Sequence, residues 1–248
     1  MPDNRTDGRT VVSKWVDIYR REWPRVAAVQ AMVLGGVSLL AGSRKTQPNV
    51  RALAVMNGMT MCAHQYEEYV DPGYFPGMVN VGIFRRDAAG ARNYPFNPSS
   101  AMCANIFFRW LYVPPMLFPQ VKWLGLPPAM LGIIQGVGHS TLMPKLAGAK
   151  YPYSPGALTA ALLHVPIGVT YVRTLRADGG ISRSDWVKSL GVLGAFLILG
   201  VAAPNVILAD KDSPYEFTDR QMGPYAGTDS DEDRDRSRAG PRSGAVVQ

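Results

Sequence analysis

Long apolar runs separated by short polar stretches dominate the middle of the chain. The five longest runs cover residues 26–42, 101–118, 127–143, 155–172 and 186–209. A helix that crosses a bilayer needs roughly 20 mostly apolar residues, and the last run reaches that length alone. The segment 50–66 is a shorter and more polar sixth run. Soluble domains rarely carry so many apolar runs, so the pattern predicts an all-α, multi-pass transmembrane helical bundle of about six helices.

Polar segments flank the predicted transmembrane domain, which covers residues 26–209. In residues 1–25, aromatic side chains up to Trp23 recur at helical spacing among basic ones. This arrangement predicts an amphipathic helix that lies in the membrane interface. Residues 210–248 show no apolar periodicity and many charges, which predicts a disordered tail.

The charge distribution bears on the partners of the chain. The formal net charge is +7, but no basic stripe interleaved with stacking aromatic residues is present, which argues against nucleic-acid binding. The basic residues instead flank the apolar runs, where they meet phospholipid headgroups. We therefore expect the lipid bilayer as the partner, with both chain ends on the cytoplasmic side. The sequence specifies neither the membrane nor an oligomeric state.

Ionisable side chains inside the apolar runs are the main candidates for chemistry. An ionisable residue at membrane depth costs several kcal/mol and normally faces the bundle interior with a partner. The ionisable residues in or at the end of these runs include every histidine of the chain: His64, Glu67, Glu68, Arg109, His139 and His164.

Helical spacing groups these residues with neighbouring amides. In a helix over 51–70, His64, Glu67 and Glu68 stand at i, i+3 and i+4, on one face that runs back through Asn57. Pro72 ends this helix near Val70.

The other helices repeat the pattern. Asn105 and Arg109 are four residues apart, as are Gln135 and His139, and Gly132 with Gly136 permits close helix approach beside His139. Ser154 is a candidate N-cap for a helix over 155–175, which carries His164. These polar faces are expected to converge.

The sequence "HQYEE" at 64–68 resembles the His-x-x-Glu-Glu signature of the HXXEE-domain family of multi-pass membrane proteins. The later stretches "QGVGH" and "YPYSPGALTAALLHVPIG" (151–168) resemble the second histidine of that family and its Tyr-Ser-Pro-Gly helix start. The resemblance covers roughly residues 50–175 and implies a helical membrane domain with a polar centre. It implies no substrate, because the activity of the family is uncharacterised.

The residue types favour an intramembrane enzyme that carries out hydrolysis or proton transfer on a lipidic or membrane-partitioned substrate. Imidazole and carboxylate groups are ligands for zinc, iron or manganese. The candidate metal ligands are His64, Glu67, Glu68, His139 and His164. The candidate catalytic residues are Glu67, Glu68 and His139. Asn57, Asn105 and Gln135 are candidates for orienting these side chains, and Arg109 is a candidate counter-ion. Without a metal, the paired glutamates would act as an acid and a base.

Three alternatives remain open at the level of sequence. The same groups form a relay in a proton- or cation-coupled transporter. In a structural membrane protein, Arg109 only neutralises a glutamate and the histidines bond across helices. In the last alternative, Glu67 and Glu68 lie exposed at the level of the lipid headgroups.

Overall fold

The computed structural model of the chain describes residues 10–40, 49–87 and 90–226, and this part is all-helical with no strand. The long helices are α1 (Val11–Leu40), α2 (Val50–Tyr69), α4 (Pro98–Leu117), α5 (Lys122–Val137), α6 (Ala157–Ala177) and α7 (Arg183–Ile207). The short helices are α3 (Phe75–Gly77), which continues as a π-helix over Met78–Ile83, and α8 (Asp219–Met222). Helix α5 continues through a π-helical turn, Gly138–Leu142, into Met143–Ala147.

Helix α2 occupies the centre of the described fold, because α1, α4 and α6 all pack against it. Helix α5 packs against α6 and α7 and closes the bundle on the other side. The close α5–α6 packing follows from glycine: a Cβ on Gly136 would lie 2.3 Å from Val165 Cγ2. The predicted small-residue contact is therefore confirmed.

Three of the long helices contain a π-helical turn shortly before a proline. These pairs are Gly138–Leu142 before Pro144, Ala160–His164 before Pro166 and Phe196–Ala202 before Pro204. Proline lacks an N–H group, and its ring clashes with the carbonyl four residues earlier. A wider π turn relieves that clash without ending the helix.

The N-terminal segment differs from the prediction. Residues from Val11 onward form one continuous helix with the first apolar run, instead of a separate interfacial helix. Trp23, predicted as a membrane anchor, is only 2% exposed and packs edge-on against Tyr69 with ring centroids 4.8 Å apart. It therefore contributes to the core, although Val12 and Trp15 nearer the start of the helix are exposed.

The predicted disordered tail, residues 210–248, includes a segment that is ordered in the structure. Residues 210–226 pack on the bundle, with Phe217 and Met222 buried beside Phe75 and Phe96. The backbone N–H of Phe217 also donates to the carbonyl of Arg92 at 2.8 Å. Residues 227–248 lie outside the described residues.

Two described helices are long and apolar enough to cross a membrane, Ala157–Ala177 and Arg183–Ile207. The all-helical class is confirmed over the described residues, whereas the arrangement of about six spans stays a prediction.

Candidate functional site

The last two turns of α2 bring buried polar side chains into the centre of the bundle. His64 is 0% exposed, Glu67 5% and Glu68 6%. The alternative that left both glutamates exposed is therefore wrong. Asp71, just beyond the helix, is exposed and forms an ion pair with Arg220 at 3.2 Å.

Glu68 and two histidines converge on one point. Glu68 Oε1 lies 3.6 Å from His64 Nε2 and 3.4 Å from His139 Nε2. The three ligand atoms all lie within 4.8 Å of one another. Two atoms bound to one tetrahedral ion at about 2.1 Å are roughly 3.4 Å apart. The two distances from Glu68 Oε1 are therefore close to those between neighbouring ligands of a metal ion.

A chain of hydrogen bonds fixes the proton on His64. The hydroxyl of Thr159 donates to Glu67 Oε2 at 2.6 Å, so its oxygen is free to accept from His64 Nδ1–H at 3.0 Å. The lone pair of the imidazole then lies on Nε2, the atom nearest Glu68. Within the described structure this nitrogen is buried and has no hydrogen-bond partner.

His139 is oriented in the same way. The hydroxyl of Ser154 donates to the carbonyl of His139 at 3.0 Å, and its oxygen accepts from His139 Nδ1–H at 2.9 Å. Nε2 of His139 therefore also directs its lone pair toward Glu68. Such partners on the second ring nitrogen typically orient metal-binding histidines.

Glu68 itself is a buried carboxylate that accepts no hydrogen bond from any described residue. An ionised carboxylate buried without a partner is unstable unless a cation or a proton compensates it. With the unpartnered nitrogen of His64 beside it, the site fits a cation.

Glu67 has a different environment from Glu68. Its oxygens accept from the hydroxyl of Tyr153 at 3.1 Å, the backbone N–H of Leu158 at 3.1 Å and the backbone N–H of Thr159 at 2.8 Å. Burial raises the pKa of the Tyr153 phenol above its usual range, and the charge of Glu67 is a smaller cause in the same direction. The phenol therefore keeps its proton and donates a hydrogen bond to Glu67. Glu67 thus supplies the N-terminal cap of α6 from another helix.

Ser154 does not cap α6 as predicted, because its hydroxyl forms hydrogen bonds with the ring and the carbonyl of His139. The residue before α6 is Gly156, whose φ of +100° is in the left-handed region. A Cβ on Gly156 would lie 2.6 Å from His64 Cε1 and 2.9 Å from His139 Cε1. Glycine is therefore required both by the backbone and by the closeness of the two rings.

His164 lies beside the cluster but outside the three converging atoms. Its ring centroid is 5.5 Å from that of His64, and its Nδ1–H donates to Asn57 Oδ1 at 3.0 Å. Both His139 and His164 lie in π-helical turns, a geometry frequent at functional sites.

The two remaining amides differ, because Asn105 is bonded away from the converging atoms whereas Gln135 lies beside His64. Asn105 accepts from Gln65 Nε2 at 3.0 Å and donates to the Tyr69 hydroxyl at 3.1 Å, so it fixes α2 against α4. Gln135 lines the adjoining cavity, and its amide nitrogen has no hydrogen-bond partner among the described residues.

Arg109 is not the counter-ion of the glutamates. Its guanidinium donates to Tyr19 Oη and Gln30 Oε1, each at 2.9 Å, and therefore faces α1. Asn105 faces α2. Arg109 lies one turn further along α4, and its longer side chain reaches α1 instead. The prediction that Arg109 belongs to the cluster is wrong.

A cavity of about 390 Å³ adjoins the cluster. Glu68 and His139 form part of its polar end, and most of its lining is apolar. The apolar lining includes Met61, Phe75, Val79, Phe96, Phe108 and Val201. A ligand that reaches the cluster must therefore have an apolar body.

Residues 55–171 match the model of a family described as "Protein of unknown function with HXXEE motif". This match supports the HXXEE family. Comparisons with curated proteins and with solved structures found no match. Within the HXXEE motif of this chain, the histidine and the second glutamate point to the cluster, whereas the first glutamate caps α6. The matched segment also contains His139 and His164.

Sequence reasoning missed the roles of Thr159, Tyr153 and Gly156. The sequence feature that could have indicated Gly156 is its position directly after Ser154-Pro155, at a break between regular elements. Thr159 carries no signal of its own, because a threonine in the first turn of a helix is common.

Ser154→Ala removes the hydrogen-bond partner of His139 Nδ1. If the cluster binds a metal, we expect about 10–100-fold weaker metal affinity, since the ring loses its orientation. Competition with a chelator on the purified protein measures this change. Ser189→Ala is the matched control, because Ser189 is equally buried but bonds to Trp123 and Asp185 carbonyls. Unchanged affinity in Ser154→Ala would contradict the orienting role.

Proposed function

We propose that the protein is a membrane-embedded metalloenzyme in which His64, Glu68 and His139 bind one divalent ion. The observation that carries this proposal is the convergence of two imidazole nitrogens and one carboxylate oxygen within 4.8 Å. Two neutral histidines with one carboxylate form a ligand set used by catalytic zinc and by non-haem iron. Zinc, iron and manganese are the candidate ions.

The hydrogen bonds around the cluster favour a metal over a purely structural network. In a structural network the buried polar groups satisfy one another. Here His64 Nε2 and the Glu68 carboxylate both lack hydrogen bonds from described residues, while Nδ1 of each histidine is anchored by a hydroxyl group. His64 Nε2 and the Glu68 carboxylate are therefore available to bind an ion.

Three protein ligands leave a coordination position for water or substrate. The ion would lower the pKa of a bound water or polarise a substrate oxygen. Because Glu68 and His139 line the apolar cavity, the substrate is a small molecule with an apolar body. Hydrolysis of a lipidic or membrane-partitioned compound is the reaction class that fits both features.

The outer surface supports a membrane location. Helices α6 and α7 expose large apolar side chains: Leu158, Leu162, Val187, Leu190, Ile198, Leu199, Val206 and Ile207. Exposed apolar surface of this extent is typical of contact with lipid or with another protein. A lipid bilayer accounts for it together with the length and hydropathy of both helices.

Metal analysis of the purified full chain by mass spectrometry tests the proposal. We expect about one equivalent of zinc, iron or manganese in the wild type, by one-site coordination. The same His→Gln substitution at three positions distinguishes the proposed ligands from a neighbouring histidine. His64→Gln and His139→Gln should lose the metal, whereas His164→Gln should keep it, because His164 Nδ1–H bonds to Asn57. Glu68→Gln, which is nearly isosteric, should also lose it.

Circular dichroism spectra and gel filtration of each variant distinguish metal loss from unfolding. Folded His64→Gln or Glu68→Gln protein with full metal content would contradict the ligand assignment. If the wild type holds no stoichiometric metal and the Glu68→Gln variant nevertheless loses activity, the result would instead favour metal-free acid–base chemistry or a proton relay.

A further inference from the structure

A second, larger groove lies between α1, α2 and α4, on the side of α2 that faces away from the His/Glu cluster. Its volume is about 780 Å³. Apolar side chains form most of its lining, among them Val26, Val29, Val33, Ile106, Val113 and Leu117. The groove is therefore suited to an extended hydrocarbon chain.

Arg109 places a positive charge in this apolar groove. Both hydrogen bonds of its guanidinium go to uncharged oxygens, Tyr19 Oη and Gln30 Oε1. Within the described part of the chain, no carboxylate forms an ion pair with Arg109. A half-buried cation among apolar side chains normally has an anionic partner, because desolvation disfavours an isolated charge.

Further donors surround the guanidinium. Tyr19 accepts from Arg109, and its own hydroxyl proton has no acceptor among the described residues. Gln30 accepts through Oε1, so its amide N–H groups are also free to donate. Arg109, Tyr19 and Gln30 all line the groove. These side chains together can bind one carboxylate, since guanidinium pairs bidentately with that group.

We propose that this groove binds a fatty acid, with its carboxylate on Arg109 and Tyr19 and its chain along the apolar lining. Arg109 lies about three turns from the start of α4, and exposed Phe107 and Trp110 flank it. Arg109 is the one charged side chain among the described lining residues, and a fatty acid correspondingly carries a single charge at the end of one chain. The proposal is independent of the metal site.

Binding of radiolabelled palmitate to the purified, delipidated full chain in non-ionic detergent tests the proposal. We expect saturable binding that Arg109→Gln weakens about tenfold or more, because a charged hydrogen bond is lost. Arg173→Gln is the matched control, since Arg173 is exposed on α6 and does not line the groove. Hexadecanol, which has the same chain length without the charge, should compete about tenfold less well.

A second variant covers the case in which Arg109→Gln does not fold. Val33 is 58% exposed on the wall of the groove, so Val33→Trp fills the groove without disturbing the core, and it should abolish palmitate binding. Equal palmitate binding by the wild type and Arg109→Gln, or equal competition by hexadecanol, would overturn the proposal. Phosphatidylglycerol that displaces palmitate at lower concentration would assign the site to a phospholipid instead. Metal content should stay unchanged in both groove variants.

Discussion

Glu67→Ala is expected to destabilise the protein strongly, although Glu67 is not one of the converging ligand atoms. The substitution leaves the backbone N–H groups of Leu158 and Thr159 without the acceptor that now caps α6. A buried donor without an acceptor costs about 1–3 kcal/mol, so the two together cost roughly 2–6 kcal/mol. The hydroxyls of Tyr153 and Thr159 lose less, because they can rotate toward other acceptors.

Thermal unfolding in detergent, followed by circular dichroism, measures this effect. A loss of that size lowers the unfolding midpoint by roughly 4–24 °C in a chain of this length. Glu22→Ala is the matched control, because among the described residues Glu22 pairs only with its neighbour Arg25 on the surface, and such pairs contribute little. Equal midpoints for the two variants would show that Glu67 does not cap α6.

Gly156→Ala is expected to affect both stability and the His/Glu cluster. An alanine at a φ of +100° is strained, and its Cβ would press on the rings of His64 and His139 at under 3.0 Å. The rings must move, so we expect a destabilisation of about 2–4 kcal/mol and, if the cluster binds a metal as proposed, loss of that metal. Metal analysis and thermal unfolding of the same preparation check both effects.

Gly180→Ala separates the two causes. Gly180 also has a positive φ, +82°, but a Cβ there would meet no atom within 4 Å. This variant should show backbone strain of about 1 kcal/mol and keep its metal. If Gly156→Ala retains the metal as fully as Gly180→Ala, the two rings are not held against Gly156.

The positions of the long helices could be predicted because apolar runs and helix-ending residues agree with each other. The end of α2 before Pro72 is one example. The π-helical turns could not be predicted in the same way. Their position depends on how a helix absorbs a proline such as Pro144 while packed on its neighbours, and this requires the tertiary fold. The packing of residues 210–226 was missed because Phe217 and Met222 lie in a segment whose sequence has no apolar periodicity.

The candidate site was predictable where helical geometry alone decides it. His64 and Glu68, four residues apart, point about the same way, and both converge on His139. Glu67 and Glu68 are adjacent and so point about 100° apart around the axis of α2. One of them therefore had to face a different neighbour. Which helix start Glu67 would cap depended on where α6 packs, and α2 alone does not contain that information.

The π-helical turn at Gly138–Leu142 has a consequence for changes in chain length. A turn of this kind holds one residue more than a regular turn, and the helix on either side keeps its direction. Ala147, beyond the turn, packs against Gly82, where an added Cβ would lie 2.8 Å away. Deletion of a single residue in this turn would therefore restore a regular turn and re-aim His139 while Ala147 stays in place. The direction of this one candidate ligand would change without a change in the interface that follows it.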